Sequence, residues 1–248
     1  MADKPRKKKK RKKKNYLLRL LVIIAVGVGL YFLLTSEWFD IDAVKVENNS
    51  YYTVEQVKDM AGVKISENIF SMKKSIIKDK LLKDPYFKNV VIKRKLPSTV
   101  VIQVEERSEK AAVLYKSTYI IIDGDGLVLR KTHAEPKLTL IEGLTLKEAK
   151  PGKALKVEEN SMLTDTLSML ASMEASDLFF KKINISSVIV KAHIYDDLVC
   201  EGVPENLKES LKNGNLETAL YEMYSKGIKR GTLKIGSDSY CSFDPKVE

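Results

Sequence analysis

The chain has 248 residues, of which 44% are hydrophobic, and its 43 Lys and Arg against 33 Asp and Glu give a net charge of +10. Eleven of the basic residues and a single acid lie between Met1 and Arg19, so residues 20–248 are neutral overall. The basic excess therefore belongs to a short tail, which argues against nucleic-acid binding by the rest of the chain.

The first predicted element is an apolar run at residues 17–34 that carries one charge, Arg19. As a helix it measures about 27 Å at ~1.5 Å per residue, close to the ~30 Å hydrocarbon core of a bilayer. The run therefore predicts one transmembrane helix. A cleaved signal peptide is the alternative, but its apolar region is usually shorter and is followed by small residues, so an uncleaved anchor is favoured.

A basic tail at residues 1–16 precedes this span. Lys and Arg beside a span stay in the cytoplasm, so the tail predicts a cytoplasmic N-terminus and a body outside the membrane. A nuclear-localisation or nucleic-acid tract is the other interpretation, and the position directly before a span favours the topological one. The residues of this topology signal are Lys7, Lys8, Lys9, Lys10, Arg11, Lys12, Lys13 and Lys14.

The first exported domain is predicted at residues 38–107. A strand begins near Ala43, and a capping box at 53–56 opens a helix that stops at Gly62. A second helix is predicted from Ser71 to about Lys83, with an apolar stripe of Met72, Ile76, Ile77 and Leu81. Two alternating runs around Leu96-Pro97-Ser98 form a hairpin. The predicted order is therefore β-α-α-β-β.

These features resemble the FtsQ/DivIB family of bacterial cell-division proteins, whose first exported domain is a POTRA domain. The resemblance is carried by a basic tail with one span and, above all, by Arg94-Lys95-Leu96-Pro97-Ser98-Thr99 with Val104-Glu105-Glu106-Arg107. The chain departs from the pattern at Glu109, where the family often has proline.

A second domain is predicted at residues 108–243, with a tail at 244–248. It is β-rich, with an Asp-Gly turn at 123–126, a helix from Asn160 or Ser161 that turns Leu163, Leu167, Leu170 and Ala171 to one side, and a helical stretch at 205–225 broken near Gly214. The predicted fold class is thus α+β: one transmembrane helix, a β-α-α-β-β POTRA domain and a mixed β-rich domain with helices on one side.

No catalytic or metal-binding motif is found in the sequence. Asp123-Gly-Asp125-Gly lacks the other ligands of a calcium loop, and His133 and His193 have no ligand spacing. Nothing nominates a base for Cys200 or Cys241, and a disulfide between them stays open. We therefore expect no enzyme, cofactor or small-molecule substrate.

Binding through a free sheet edge is the remaining expectation. The candidate edges are the hairpin strand Thr99–Glu106 and two C-terminal strands. The predicted partner-binding residues are Thr232, Leu233, Lys234, Ile235, Tyr240 and Phe243.

The resemblance implies a septal scaffold that binds single-pass coiled-coil proteins of the FtsL and FtsB/DivIC type and helps control septal peptidoglycan synthesis. The alternative is a POTRA-bearing binding module for exported polypeptides, although such POTRA domains usually occur in tandem or before a membrane barrel. An anchored cell-wall hydrolase lacks a catalytic constellation.

Overall fold

A computed structural model describes residues 16–173, 178–186 and 188–246. Its first helix, α1 (Tyr16–Leu34), has no buried residue and is long and apolar enough to cross a membrane. This confirms the predicted N-terminal apolar helix. The topology signal at Lys7–Lys14 lies outside the described residues.

The small domain follows a short 3-10 turn at Glu37–Phe39. Its elements are β1 (Ala43–Glu47), α2 (Val54–Ala61), α3 (Lys74–Leu81), β2 (Phe87–Lys95) and β3 (Thr99–Glu106). The sheet order is β1-β3-β2, with β3 parallel to β1 and antiparallel to β2. The predicted β-α-α-β-β order is confirmed.

The capping box at the start of α2 forms as predicted. The Thr53 hydroxyl accepts from the Gln56 backbone amide at 3.2 Å, and the Gln56 side chain accepts from the Thr53 amide at 2.9 Å. The helix ends at Gly62, whose φ of 62° is left-handed, a conformation that glycine adopts without steric cost. Val57 and Ala61 point into the core.

The helix α3 begins three residues later than predicted. The Ser71 hydroxyl bonds the Asn68 carbonyl at 2.7 Å, so it closes a turn and does not cap the helix. With only two turns, the helix buries Ile77 and Leu81, which lie four residues apart, and leaves Ile76 49% exposed. The prediction that Ile76 faces the core is therefore wrong.

Within the described residues, the large domain consists of a sheet of nine strands with three helices. Its strands in sheet order are β14 (Cys241–Asp244), β13 (Gly231–Ile235), β12 (Leu198–Gly202), β11 (Val190–His193), β10 (Lys182–Ile185), β7 (Thr139–Glu142), β4 (Ala111–Tyr115), β5 (Thr118–Ile122) and β6 (Val128–Thr132). Two further short strands, β8 (Leu146–Glu148) and β9 (Lys156–Val157), pair with each other. The helices are α4 (Asn160–Ser172), α5 (Pro204–Lys212) and α6 (Asn215–Ser225).

One apolar core joins the helices to the sheet. It includes Leu163 of α4, Leu207 of α5 and Leu220 of α6, together with strand residues such as Val190 and Leu233. The predicted break between α5 and α6 is confirmed at Gly214, which has a φ of 72°. Ala171 of α4 is exposed, so its predicted inward position is wrong; α4 instead buries Thr166 and Met169 beside Leu163 and Leu167. The predicted α+β fold class is confirmed.

The two ends of the small sheet have different neighbours. Because β1 and β3 are parallel, both begin at the end where α1 enters and both finish at the opposite end. The chain leaves β3 at Glu106 and enters β4 at Ala111 within five residues. The large sheet is therefore connected to the end of the small sheet that is remote from α1.

Candidate partner-binding edge

The nine-stranded sheet has two outer strands, β6 and β14. The start of β6 is covered, because the Val128 amide donates to the Lys153 carbonyl at 2.9 Å and the Gly152 amide donates to the Val128 carbonyl at 2.8 Å. Among the strands that the structure describes, β14 pairs with β13 alone. The β14 edge is therefore the more open one.

The register of β13 and β14 sets which backbone groups face outward. The Gly236 amide donates to the Tyr240 carbonyl at 2.8 Å, and Lys234 lies opposite Ser242. Hydrogen-bonded and non-hydrogen-bonded pairs alternate along an antiparallel ladder. Phe243 and its partner Leu233 therefore form a non-hydrogen-bonded pair. In such a pair the backbone amide and carbonyl of Phe243 point away from β13.

The side chains of Tyr240 and Phe243 behave differently. Tyr240 precedes the strand and is 70% exposed, whereas Phe243 is 36% exposed. The Phe243 ring lies over Gly231, where a Cβ atom would approach its Cε2 to 2.5 Å. The missing side chain at Gly231, whose φ is 133°, therefore leaves room for the Phe243 ring beside β13.

The predicted residues of β13 are not on an open edge. Leu233 and Ile235 are buried at 3% and 4% exposure, and the Lys234 ammonium lies 3.2 Å from the Asp244 carboxylate on β14. Thr232 is half-buried. The expectation of a free edge at Thr232–Ile235 is wrong because β14 covers it; partner binding at β14 stays a prediction.

The strand Thr99–Glu106 is not an edge either. It is the central strand of the small sheet, with Ala43 opposite Thr99 on one side and Arg94 opposite Val100 on the other. The expectation failed because β1 pairs with β3 across more than fifty residues of intervening chain, and local alternation carries no information about such parallel pairing.

The Asp-Gly-Asp-Gly segment forms the predicted turn between β5 and β6, organised by one buried carboxylate. Asp123 accepts from the backbone amides of Asp125 and Leu127 at 3.0 and 2.8 Å. Its other oxygen accepts from the Arg107 guanidinium at 2.5 Å. All three donors belong to the protein itself, so this carboxylate has a structural role.

Among the described residues, the histidines and cysteines do not form a metal-binding group. The His133 Nδ1 lies 3.0 Å from the Ser117 carbonyl, and His193 is in β11, where burial lowers the pKa of its imidazole. Cys200 and Cys241 are thiols rather than a disulfide. Burial raises the pKa of the Cys200 thiol to about 12. Among the described residues, no three His, Cys, Asp or Glu are grouped to hold a metal ion.

The motif residues of the small domain tether its loops. The Arg94 guanidinium donates to the carbonyl of Met72 at 2.7 Å. The Glu106 carboxylate accepts from the backbone amides of Ser50 and Tyr51 at 2.7 and 2.6 Å. Charged side chains thus bind the backbone of the α2–α3 loop and of the loop between β1 and α2.

A contact between the two domains was not predicted from the sequence. Glu109 accepts from the Tyr86 hydroxyl at 2.5 Å and from the Arg130 Nε at 2.7 Å. Burial alone would raise the pKa of Glu109, but the hydrogen bonds from Arg130 and Tyr86 outweigh it and lower the pKa below its ordinary value. The only signal in the sequence was that position 109 departs from the proline common in the resembling family.

Known proteins match both parts of the chain. A family described as "POTRA domain, FtsQ-type" matches residues 39–107. The chain is similar to the cell division protein DivIB of Clostridium acetobutylicum, with 29% identity over 177 residues that cover 70% of this chain and 71% of the relative. DivIB of Clostridium botulinum strain Loch Maree is 28% identical over 182 residues, 72% and 71% of the two chains. The cell division protein FtsQ of Syntrophotalea carbinolica is 26% identical over 106 residues, 43% and 37%.

An apolar N-terminal helix, a POTRA domain and a β-rich second domain define a class of membrane-anchored POTRA proteins. The DivIB alignments are longer than the POTRA match and therefore include part of the chain outside it. The chain contains an FtsQ-type POTRA domain and is similar to cell-division proteins named DivIB and FtsQ, as the resemblance predicted, and these similarities support a role in cell division.

Proposed function

We propose that the chain is a non-enzymatic septal scaffold that binds single-pass division proteins of the FtsL and FtsB/DivIC type and helps control septal peptidoglycan synthesis. The tail at residues 1–16 lies in the cytoplasm and the body lies outside the membrane, in agreement with the charge rule for membrane spans. Similarity to named cell-division proteins supports the septal location.

The observation that carries the proposal is the open β14 edge. An extended segment of a partner adds a strand there, with backbone hydrogen bonds to groups such as those of Phe243. Tyr240, 70% exposed beside the edge, supplies an aromatic anchor of the kind that is enriched among binding hot spots.

Anchoring by α1 supports the proposal that the partners are themselves anchored in the membrane. The small domain separates this sheet from α1, so the β14 edge belongs to the domain that is remote from the membrane helix. Partners anchored in the same membrane reach it at a high effective concentration. Affinity at the edge can therefore be moderate and still give a stable assembly.

The chemistry of the described residues supports a role without catalysis. The most buried thiol, Cys200, is protonated at neutral pH because burial raises its pKa to about 12. Asp123 is committed to a turn and to Arg107. We infer that the family role in division is carried out by binding.

The test compares Phe243→Ala with Phe243→Pro in the full chain reconstituted in nanodiscs. Both variants lose the aromatic ring, and only proline also loses the outward amide. Each backbone hydrogen bond is worth about 0.5–1.5 kcal/mol, so the proline variant should bind the FtsL- and DivIC-type pair of the same organism roughly two- to tenfold more weakly than the alanine variant.

Two tyrosine variants complete this test. Tyr240→Ala should weaken binding, and Tyr221→Ala, which removes an equally exposed tyrosine on α6, should not. The measurement is the dissociation constant for each variant. Equal affinity of the alanine and proline variants, with no loss in Tyr240→Ala, would remove β14 from the proposal.

A further inference from the structure

Three segments of the small domain converge where α1 ends. The sheet topology puts the start of β1, the start of β3 and the end of β2 at this same end, so the hairpin tip at 96–98 lies there. The loop between α2 and α3, residues 62–73, joins them through backbone hydrogen bonds. This end of the domain is therefore built from the residues that follow α1, the α2–α3 loop and the hairpin tip.

Specific hydrogen bonds fix these segments to one another. The Asp42 amide donates to the Ser98 carbonyl at 2.9 Å, and the Ile41 amide donates to the Glu67 carbonyl at 2.9 Å. The Asn68 side-chain amide donates to the carbonyl of Leu34, the last residue of α1, at 2.8 Å. The domain thus begins directly at the end of the helix, without a flexible linker.

Each of the three segments exposes a large apolar side chain. Trp38 is 79% exposed, Ile65 is 56% exposed and Leu96 is 55% exposed. Phe70, 39% exposed, packs its ring against Phe39 at 5.2 Å between centroids. Exposed apolar groups gathered at one end of a domain mark an interaction surface.

We propose that this surface, formed by Trp38, Ile65, Phe70 and Leu96, rests in the lipid headgroup layer of the bilayer that α1 spans. The occupant follows from continuity, because Asn68, in the loop that carries Ile65 and Phe70, is hydrogen-bonded to the last residue of the apolar helix α1. The headgroup boundary is also where aromatic rings and apolar side chains with neighbouring lysines are stable.

The charges on the same segments indicate what kind of lipid contact this is. Exposed lysines and exposed acids alternate around the apolar side chains, so no strong net charge favours anionic lipid. They are Lys64, Lys73 and Lys95 with Glu37, Asp42 and Glu67. The contact is therefore apolar insertion, and it fixes the tilt of the small domain against the membrane.

The chain's single tryptophan makes this testable by fluorescence. In a Trp38→Phe background, Ile65→Trp and Leu96→Trp are made separately in the full chain and reconstituted into phosphatidylcholine vesicles with brominated acyl chains. Tyr221→Trp, an exposed aromatic position on α6 of the large domain, is the matched control. Far-UV circular dichroism checks that each variant is folded.

We expect both test variants to show blue-shifted emission and quenching to the same extent as Trp38 in the wild-type chain, while the control stays unquenched. Addition of phosphatidylglycerol should leave the quenching unchanged. Emission at 65 and 96 that matches the unquenched control would overturn the proposal, and so would quenching that appears only with anionic lipid.

Discussion

The two sheets of the molecule differ in what they leave open at their edges. In the small sheet the apolar strand β3 is central, and the outer strand β2 presents the exposed lysines Lys88, Lys93 and Lys95. In the large sheet the outer strand β14 is short and is preceded by an exposed tyrosine, Tyr240. Charged edges resist pairing with another chain. The difference supports the proposal that partners bind the large sheet and that the small sheet connects it to α1.

The connection between the two sheets depends on charged side chains. Arg107 follows β3 of the small sheet and binds Asp123 in the large one. Glu109 in the connection binds Tyr86 and Arg130 on either side. The comparison therefore predicts that variants at the connection alter stability, whereas variants at β14 alter binding.

The largest expected effect is that of Arg107→Ala. It leaves the Asp123 carboxylate, 4% exposed, without its counter-charge, and breaking a buried pair in this way costs about 3–5 kcal/mol. The free energy of unfolding, measured with urea in detergent micelles, should fall by this amount. Lys88→Ala is the control, because its exposed contact with Asp125 at 3.8 Å should be worth under about 1 kcal/mol. Equal small losses in both variants would show that the connection does not depend on Arg107.

A second, smaller effect is expected for Glu109→Gln. A hydrogen bond to a charged group is worth about 1.5–3 kcal/mol, and glutamine keeps one acceptor, so we expect a loss of about 1–2 kcal/mol at neutral pH. Because the folded-state pKa of Glu109 lies below its ordinary value of 4.5, its contribution is complete above pH 4.5 and is lost as pH falls through the folded-state pKa.

The measurement for this prediction is thermal unfolding of wild type and Glu109→Gln as a function of pH. The difference between the two should shrink in acid, because the wild-type carboxyl becomes protonated as well. A difference that is constant down to acid pH would mean that the charge of Glu109 does not stabilise the connection.

The third effect concerns the edge itself. In Gly231→Ala the new methyl group would lie 2.5 Å from the Phe243 ring and 2.7 Å from the Asp244 carbonyl, and such overpacking costs about 1–3 kcal/mol. Gly214→Ala is the control. Gly214 also has a positive φ, but nothing lies within 4 Å of a Cβ atom built there, so this variant introduces backbone strain without a steric clash. Hydrogen exchange at residues 241–244 should accelerate in Gly231→Ala and not in Gly214→Ala. Similar exchange at 241–244 in both variants would show that the close contact at Gly231 does not hold the edge in place.

Local features of the fold could be predicted from the sequence because their causes are local. The capping box at Thr53, the helix end at Gly62 and the turn at Asp123 depend on residues within a few positions of each other. The residues of the hairpin around Pro97 also alternate clearly, which placed β2 and β3.

Long-range pairing could not be predicted in the same way. The parallel pair of β1 and β3 placed Thr99–Glu106 at the centre of its sheet, and β14 covered Thr232–Ile235. The contact of Glu109 with Arg130 joins residues that are 21 positions apart. No periodicity records such pairings, so only the structure distinguished β14 as the open edge among the candidate strands.

Binding at β14 can be measured by backbone hydrogen exchange of the reconstituted full chain with and without the FtsL- and DivIC-type pair. We expect new protection at residues 241–244, at the Phe243 amide above all, and no change in β3, whose backbone groups are already paired on both sides. Binding of the pair without any added protection at 241–244 would contradict this proposal.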